Sequence, residues 1–353
     1  MRIIIVGAGA IGSYLGASLA EAGHRVGLLG RPAYVERVRE RGLLLTRSGV
    51  ERTVTGVVAG EDLDALLREL QGMELAIVTA KAFDTAEACR LLLPYLADGL
   101  GRVVLVQNGV GGDDIAAGLL PRDVLVTGVI TQLVSAQDVA RYEVRGRRGG
   151  ICLAPYQMGS PSVEPLVAML QCAGLRCRSS PDGRAIRWSK LLLNMMANAV
   201  PTIEDLSPAE VYADDLLYSL EIAAYREALV VMRASGLRPV ALPGYPVPAI
   251  AWLIERGPRR LVRALLQRIV GGARGGKKPS LQIDLERGRR ESEVTFLNGA
   301  VAREAARQGL SAPANAAIAG VLEGLAAGTL DRGDLRRAPR ALTERARALG
   351  WQG

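Results

Sequence analysis

The feature that most constrains this chain is a glycine-rich turn at its N-terminus. Residues 2–6 read Arg-Ile-Ile-Ile-Val, a run typical of a buried strand, and Gly7-Ala8-Gly9-Ala10-Ile11-Gly12 follows directly. An apolar helix to about Ala22 and a second strand over Arg25–Leu29 come next. A GxGxxG pattern in this strand, turn, helix, strand order predicts a dinucleotide-binding domain.

The glycines of this turn have distinct physical tasks in such a domain. Gly7 permits the tight turn, Gly9 lets a pyrophosphate approach the backbone, and Gly12 lets the helix pack closely on the strand. The first helical residues, Ala10 and Ile11, offer amide donors to phosphate oxygens. We therefore expect these five residues to bind a cofactor. The alternative is the glycine turn of an α/β domain that binds nothing.

Further strands are predicted at Leu75–Thr79, Val103–Gln107 and Val124–Ile130, with helical segments between the earlier ones. Alternating strands and helices indicate a mostly parallel, doubly wound sheet. Four short strand-like pieces are expected to be peripheral additions: Leu43–Leu45, Thr53–Val57, Ala140–Val144 and Ile151–Ala154. A last strand near Leu175–Arg178 leads into Ser179–Gly183, which has the composition of a linker.

Beyond this linker the apolar spacing is typical of helices. The predicted helices are Trp188–Val200, Ala209–Ser235, Phe296–Gln308 and Ala314–Leu325, with Pro239–Lys278 as an extension. A chain of 353 residues favours two domains. We predict an α/β Rossmann-type nucleotide-binding domain over residues 1–180 and an all-α domain over residues 181–353.

The composition excludes several classes of site. Lys and Arg number 44 against 36 Asp and Glu, which gives a net charge of +8. The single histidine, His24, rules out His-based triads and multi-histidine metal sites, so no metal is expected. The four cysteines form no CxxC pair and are too sparse for a disulfide scaffold, which favours a reducing cytoplasm. No apolar run reaches the roughly 18 residues of a membrane helix.

The stretch Arg256–Lys278 is basic and contains two glycine pairs. Such a stretch could bind nucleic acid or an anionic membrane. It has almost no aromatic residues for base stacking, and no nucleic-acid motif surrounds it. We favour a solvated helix face followed by a connector, and expect neither a nucleic acid nor a membrane as partner.

Lysine is rare in this chain. Only four of the 44 basic residues are lysines: Lys81, Lys190, Lys277 and Lys278. Arginine cannot release a proton at neutral pH, whereas a partly desolvated lysine can. Each lysine is therefore a candidate for acid–base chemistry, with chance in an arginine-biased composition as the alternative.

The end of the second strand predicts which dinucleotide is bound. An acidic residue there would hold the ribose 2′-hydroxyl of NAD, but the chain reads Leu28-Leu29-Gly30-Arg31. A small residue followed by arginine suits a 2′-phosphate, so NADP is favoured. Lys81 follows another strand at the same sheet edge and could reach the same phosphate.

Two groups of asparagines mark a second candidate region. Asn108 ends a strand and opens a glycine-rich segment, which suits contact with the nicotinamide half of a dinucleotide. Lys190, Asn194 and Asn198 are spaced i, i+4, i+8 and would form one polar stripe on an apolar helix. Polar groups on such a helix face a cleft or a partner, since burial without a partner costs about 1–3 kcal/mol each. The alternatives are an asparagine that only starts a turn and a structural network between helices.

These segments together resemble the ketopantoate reductase (2-dehydropantoate 2-reductase) family over nearly the whole chain. The resemblance rests on Gly7–Gly12, Lys81, Asn108-Gly109, the Lys190/Asn194/Asn198 helix, Pro279–Leu281, Gly288-Arg289 and Glu293–Gly299. It implies a Rossmann-type domain followed by a helical domain of the 6-phosphogluconate dehydrogenase type. All five asparagines of the chain fall inside family-like segments.

The resemblance also implies roles for individual residues. Arg31 and Lys81 would bind the 2′-phosphate of NADP, and Asn108 would contact both the cofactor and the substrate. Lys190 would be the catalytic acid. Asn194 and Asn198 would bind substrate, and Ser280 and Glu293 would complete the pocket. Glu293 would anchor a substrate hydroxyl and help set the pKa of the lysine, with Glu291 as the alternative because one extra residue precedes Glu293.

The expected activity is therefore the NADPH-dependent reduction of a small 2-oxo acid, with ketopantoate as first choice and pantothenate and coenzyme A synthesis as the setting. The only histidine, His24, lies in the turn before the second strand, so another group has to donate the proton. An ammonium is suitable, since it stabilises the developing oxyanion and then donates a proton.

Two alternatives to this activity stay open. One is a related two-domain NADP dehydrogenase for another 2-oxo acid or an opine-like imine. The other is a non-catalytic NADP-sensing protein. A homodimer is one assembly that the sequence leaves open.

Overall fold

The protein is described by a computed structural model that covers residues 1–97, 101–274 and 278–353. It divides into two compact units. The first comprises Met1–Gln107, Gly112–Arg187 and Leu242–Tyr245, and the second comprises Asn108–Gly111, Trp188–Ala241 and Pro246–Gly353. Lys277 and the glycine pair Gly275-Gly276 of the predicted connector lie outside the described residues.

The first unit is built from strands and helices that alternate along much of the chain. Its strands are β1 (Arg2–Val6), β2 (Arg25–Leu29), β3 (Leu43–Arg47), β4 (Val50–Val54), β5 (Val57–Gly60), β6 (Leu75–Val78), β7 (Arg102–Val106), β8 (Leu125–Ile130), β9 (Leu133–Asp138), β10 (Arg141–Arg145), β11 (Ile151–Pro155) and β12 (Cys177–Ser179). Its helices are α1 (Ala10–Glu21), α2 (Pro32–Arg41), α3 (Leu63–Leu70), α4 (Thr85–Leu92), α5 (Gly112–Ala117) and α6 (Glu164–Cys172), with short 3₁₀ turns at Ala82–Asp84 and Leu93–Leu96.

The main sheet has eight strands in the order β12-β11-β8-β7-β6-β1-β2-β5. Strands β5, β2, β1, β6, β7 and β8 run parallel, β11 is antiparallel to β8, and β12 is parallel to β11. In β1 the residues Ile3 and Ile5 join the core on one face, while Ile4 and Val6 join the core on the other. Both faces are thus apolar, which explains the unbroken hydrophobic run in the sequence.

A second sheet holds four strands in the order β4-β3-β10-β9. Three of the four short segments expected to be peripheral contribute residues to this second sheet. The fourth, Ile151–Ala154, does not. That segment is β11, buried in the main sheet between β8 and β12. The expectation for it was wrong because its partner β12 follows it by more than 20 residues, a pairing that local sequence does not reveal.

Helices make up the regular structure after β12 in the described chain. They are α7 (Gly183–Met195), α8 (Ala199–Glu204), α9 (Pro208–Ala213), α10 (Asp215–Ala234), α11 (Val247–Arg256), α12 (Arg259–Arg274), α13 (Ser280–Glu286), α14 (Asn298–Arg307), α15 (Pro313–Ala327) and α16 (Pro339–Ala348), with a 3₁₀ turn at Glu293–Phe296. The single helix predicted over Ala209–Ser235 is two helices, because the Asp214 carboxylate accepts hydrogen bonds from the amides of Leu216 and Leu217 and starts α10 there.

The basic segment forms a helix with one buried side and one exposed side. On α12, Val262 and Leu266 are buried, and the Arg263 guanidinium donates a hydrogen bond of 2.6 Å to the Tyr212 carbonyl. Arg259 and Arg263 also lie over the ring of Tyr218, at 5.1 and 5.3 Å from its centroid. Part of the positive charge therefore serves the packing of the second unit. Within the described ranges, no helix is both long and apolar enough to cross a membrane.

Candidate functional site

The glycine turn of the first unit has the geometry that a dinucleotide-binding loop needs. Gly7 has a φ of +105°, and a Cβ there would lie 2.5 Å from the Ala80 amide nitrogen. A Cβ on Gly12 would lie 2.4 Å from the Gly7 carbonyl oxygen. A Cβ on Gly9 would meet nothing within 4 Å. Gly7 and Gly12 are therefore required by packing, whereas Gly9 borders open space before α1, where the first amides have no intrahelical acceptor.

The carboxyl ends of three neighbouring strands meet at this turn. The amides of Gly7 and Ala8 donate to the Leu29 carbonyl at 3.3 and 3.0 Å, which ties the turn to the end of β2. The Thr79 hydroxyl donates to the Gly7 carbonyl at 2.7 Å, which ties it to the end of β6. Lys81, half-buried, follows two residues later. The structure thus brings the glycine turn and the segment before Lys81 together in the first unit.

Gln107 supports this edge and was not predicted as a site residue. Its side-chain amide donates to the carbonyls of Ala80 and Lys81, each at 3.0 Å, and its carbonyl accepts from the Thr85 hydroxyl at 3.0 Å. It therefore fixes the backbone at Lys81. Its place directly before Asn108, at the end of β7, is the sequence signal that could have identified it.

The end of β2 has no room for an acidic side chain at position 30. A Cβ on Gly30 would lie 2.7 Å from the Tyr34 ring and 3.0 Å from the Ala8 Cβ. The Tyr34 hydroxyl is hydrogen-bonded to Ser13 at 2.9 Å, and burial raises the pKa of Tyr34 well above its ordinary value. Arg31 comes next, exposed, as the residue that precedes α2. A positive charge therefore stands where an NAD-binding domain would carry a carboxylate.

In the second unit, Asn108 is joined to α7 and to the turn that begins at Glu293. The Asn194 side chain donates to the Asn108 carbonyl oxygen Oδ1 at 3.1 Å. Gly109 has a φ of +85°, and a Cβ there would lie 2.5 Å from the Phe296 Cβ. The Val110 amide donates to the Phe296 carbonyl at 2.8 Å. Only glycine fits at position 109, and this close approach fixes Asn108.

The predicted polar stripe of Lys190, Asn194 and Asn198 is interrupted. Helix α7 ends at Met195, and Ala197 has a φ of +45°, which no α-helix contains. The Ala197 amide donates to the Glu221 carboxylate at 2.9 Å, which stabilises this break. The prediction of one helix through Val200 was therefore wrong. Lys190 and Asn194 share a face of α7, while Asn198 precedes α8 and is not on that face.

Asn198 is buried and faces the start of α13. Its side-chain amide lies 3.5 Å from the Ser280 hydroxyl, and its Oδ1 accepts from the Leu281 amide, also at 3.5 Å. Both contacts are long, so they are weak hydrogen bonds. Ser280 is exposed. The structure thus pairs the predicted substrate residues Asn198 and Ser280 with each other.

Lys190 and Glu293 differ in environment from their neighbours. Lys190 is half-buried on α7, although the residues on either side of it are buried. Glu293 is only 3% exposed at the first position of the 3₁₀ turn, whereas Glu291 is exposed. Burial therefore favours Glu293 over Glu291 as the carboxylate of an enclosed site.

The two remaining asparagines are structural. The Asn298 amide donates to Asn315 at 3.0 Å, and the Asn315 amide donates to the Ala224 carbonyl at 2.8 Å and to Glu227 at 2.7 Å. Burial raises the pKa of Glu227, while its hydrogen bonds from the start of α15 act in the opposite direction. This network joins α10, α14 and α15 of the second unit.

Comparison with known proteins gives matches along most of the chain. The family profile described as ketopantoate reductase PanE/ApbA matches residues 3–157, and the C-terminal profile of that description matches residues 182–326. The 2-dehydropantoate 2-reductase of Pyrococcus horikoshii is 26% identical over 319 residues, which are 89% of this chain and 94% of that relative.

Solved structures show the same fold. The PanE/ApbA family ketopantoate reductase from Ralstonia eutropha JMP134 has a TM-score of 0.75 and 27% identity, covering 92% of this chain and 98% of that chain. D-mandelate dehydrogenase, solved with NADH and anilino(oxo)acetate, has a TM-score of 0.76 and 22% identity, covering 93% and 99%. The predicted fold class is confirmed.

Proposed function

Because this chain belongs to the ketopantoate reductase PanE/ApbA family of oxidoreductases, we propose that it reduces the ketone of a small 2-oxo acid with NADPH, and that its substrate is 2-dehydropantoate. The observation that carries this proposal is the arrangement on α7. Lys190, one of four lysines in the chain, lies one turn before Asn194, which is hydrogen-bonded to Asn108. A proton donor and two amide side chains are thus grouped in the second unit.

The first unit fits a dinucleotide phosphate. The backbone at Gly9 is open, so a pyrophosphate can approach it and accept hydrogen bonds from the first amides of α1. Arg31 and Lys81 bind the 2′-phosphate in this proposal, because both follow strands at the edge where Gly7 turns. Gly30 excludes the carboxylate that would bind the 2′-hydroxyl of NAD. When bound, the cofactor supplies the hydride.

The side chains of the second unit supply the proton and orient the substrate. The Lys190 ammonium stabilises negative charge on the carbonyl oxygen and donates a proton to it from Nζ. Asn108 and Asn194 hold the reacting end of the substrate by hydrogen bonds. Asn198 and Ser280, which contact each other, bind its other end, and the buried Glu293 accepts a hydrogen bond from a substrate hydroxyl. The product of this reaction is pantoate, in cytoplasmic pantothenate and coenzyme A biosynthesis.

The test compares ketopantoate with 2-oxoisovalerate, which lacks the 4-hydroxyl. A site built to hydrogen-bond a substrate hydroxyl rejects an analogue that lacks it, so we expect wild-type kcat/KM with saturating NADPH to favour ketopantoate by about 10²-fold or more. Glu293→Ala should abolish most of that preference, and Glu291→Ala, which changes an exposed carboxylate, should retain it. A wild type that shows no preference, or prefers an unrelated 2-oxo acid, would refute ketopantoate as the substrate.

A further inference from the structure

A buried arginine, Arg187, lies on α7 one turn before Lys190. Its side chain is 4% exposed and forms a two-point ion pair with Asp113, with Nε to Oδ2 and Nη2 to Oδ1 both at 2.7 Å. The same guanidinium donates to the carbonyl of Gln107 and, at 3.1 Å, to that of Leu105. One side chain therefore binds both ends of the loop that contains Asn108.

These contacts link the helix that carries the proposed acid to the loop that carries Asn108. Arg187, Lys190 and Asn194 are three and four residues apart, so they share one face of α7. Gln107, whose carbonyl accepts from Arg187, is the residue directly before Asn108. Two side chains of α7 are thus hydrogen-bonded to this loop: Arg187, and Asn194 two turns further along the helix.

The type of residue at position 187 also points to a geometric role. A buried ion pair contributes little to stability compared with apolar side chains of similar volume, because desolvation opposes the attraction between the charges. A guanidinium, however, offers five donors in one rigid plane, which lets it hold a carboxylate and two carbonyls at fixed positions. A lysine ammonium cannot reproduce that plane.

We propose that Arg187 is a positioning residue, which fixes α7 against the Gln107–Asp113 loop so that Lys190 and Asn194 are held toward Asn108. This role rests on the proposed function of Lys190 as proton donor. Arg187 touches neither substrate nor cofactor in this scheme, and it acts through the placement of the residues one and two turns further along α7.

The first variant is Arg187→Lys, which keeps a positive charge opposite Asp113 and therefore avoids an unpaired buried carboxylate. We expect its affinity for NADPH to stay within about threefold of wild type, while kcat falls about 10- to 100-fold, as a small misplacement of a catalytic group does. Arg184→Lys is the matched control, since Arg184 is exposed on the same helix, and it should behave as wild type.

The second measurement does not depend on the reaction. Trace acetylation, mapped by mass spectrometry, reports the reactivity of the Lys190 amine relative to that of Lys278, an exposed lysine paired with Glu286. We expect this ratio to change at least about threefold in Arg187→Lys, because the reactivity of a lysine amine depends on its pKa and therefore on the groups around it. The variant Arg187→Met with Asp113→Leu removes both charges and should show the same change.

Wild-type turnover, or an unchanged Lys190 labelling ratio, in Arg187→Lys would overturn the proposal, because the arginine would then act on stability alone. If the wild type reduced no 2-oxo acid, the proposed function would fail separately. The labelling ratio would still decide whether Arg187 positions Lys190.

Discussion

At the scale of single residues, the proposed preference for NADPH rests on the pair Gly30-Arg31. Arg31 is exposed at the start of α2, and Gly30 leaves no room for an acid. If Arg31 binds the 2′-phosphate, Arg31→Ala should weaken NADPH about 10- to 100-fold and leave NADH nearly unchanged. Binding of both cofactors measured by fluorescence titration checks this. Arg41→Ala, at the exposed far end of α2, is the control, and equal losses for both cofactors would contradict the assignment.

Lys190 permits a test that separates charge from proton donation. Lys190→Arg keeps the positive charge but removes the proton that can be donated at neutral pH. We expect kcat to fall about 10²- to 10⁴-fold while NADPH affinity is retained. Single-turnover kinetics would measure the chemical step, with Lys278→Arg as the control on a lysine outside the proposed site. Near-normal turnover would assign the acid to another group and leave Lys190 a role in binding.

At the scale of elements, the glycine turn before α1 allows the proposed role of Gly9 in cofactor binding to be tested separately from the role of Gly12 in packing. Gly9→Ala adds a methyl group in open space, so the free energy of unfolding should be unchanged, and NADPH should bind at least about tenfold more weakly. Gly12→Ala places its methyl 2.4 Å from the Gly7 carbonyl, so it should destabilise the protein by about 1–3 kcal/mol. Urea unfolding and NADPH titration of both variants test this pair. If Gly9→Ala lowered the free energy of unfolding, the space around Gly9 would not be open as the structure shows it.

The elements that were predicted correctly are those specified by local pattern. Strands β1, β2 and β6 and helix α1 follow from apolar runs and the glycine turn. Strand β9 and helix α13 were not predicted. The β9 segment, Leu133–Asp138, is largely exposed and depends on pairing with β10, and α13 has only seven residues. A largely exposed hairpin strand and a helix of two turns carry too short an apolar pattern to be recognised from local spacing.

The same distinction applies to the candidate site. Residue rarity and motif spacing drew attention to Lys190 and Asn108, and their roles stay predictions. The helical stripe placed Asn198 wrongly because a spacing of four assumes an unbroken helix, and the break at Ala197 depends on Glu221 of a later helix. Arg187 could not be recognised among the 39 other arginines of the chain, since only the fold shows that Asp113 faces it.

At the scale of the whole molecule, one buried carboxyl couples stability to pH. Glu204, at the end of α8, is fully buried, and burial raises its pKa from 4.5 to about 7. The hydrogen bond from the Ala338 amide, at 2.7 Å, lowers the pKa, and the charge of Asp214 raises it further. The protonated form therefore favours the folded state. Its stabilisation is fully present below pH 4.5 and is lost as the pH rises through about 7.

Glu204→Gln should remove this dependence, because glutamine keeps the acceptor for Ala338 and cannot ionise. We expect the variant and the wild type to have similar free energies of unfolding at pH 5. At pH 8.5 the variant should be the more stable by up to about 3 kcal/mol. Urea titrations at the two values measure this, with Glu344→Gln, an exposed carboxyl on α16, as control. A difference between the proteins that does not vary with pH would contradict the linkage.

Neither compact unit is one uninterrupted stretch of chain, since Asn108–Gly111 belongs to the second unit and Leu242–Tyr245 to the first. This interleaving restricts how such a gene can be recombined. A single crossover between two relatives near residue 187 would combine the Asn108 loop of one parent with the Asn194 and Phe296 of the other. We expect a working chimera to require that each short segment is exchanged together with the residues that contact it.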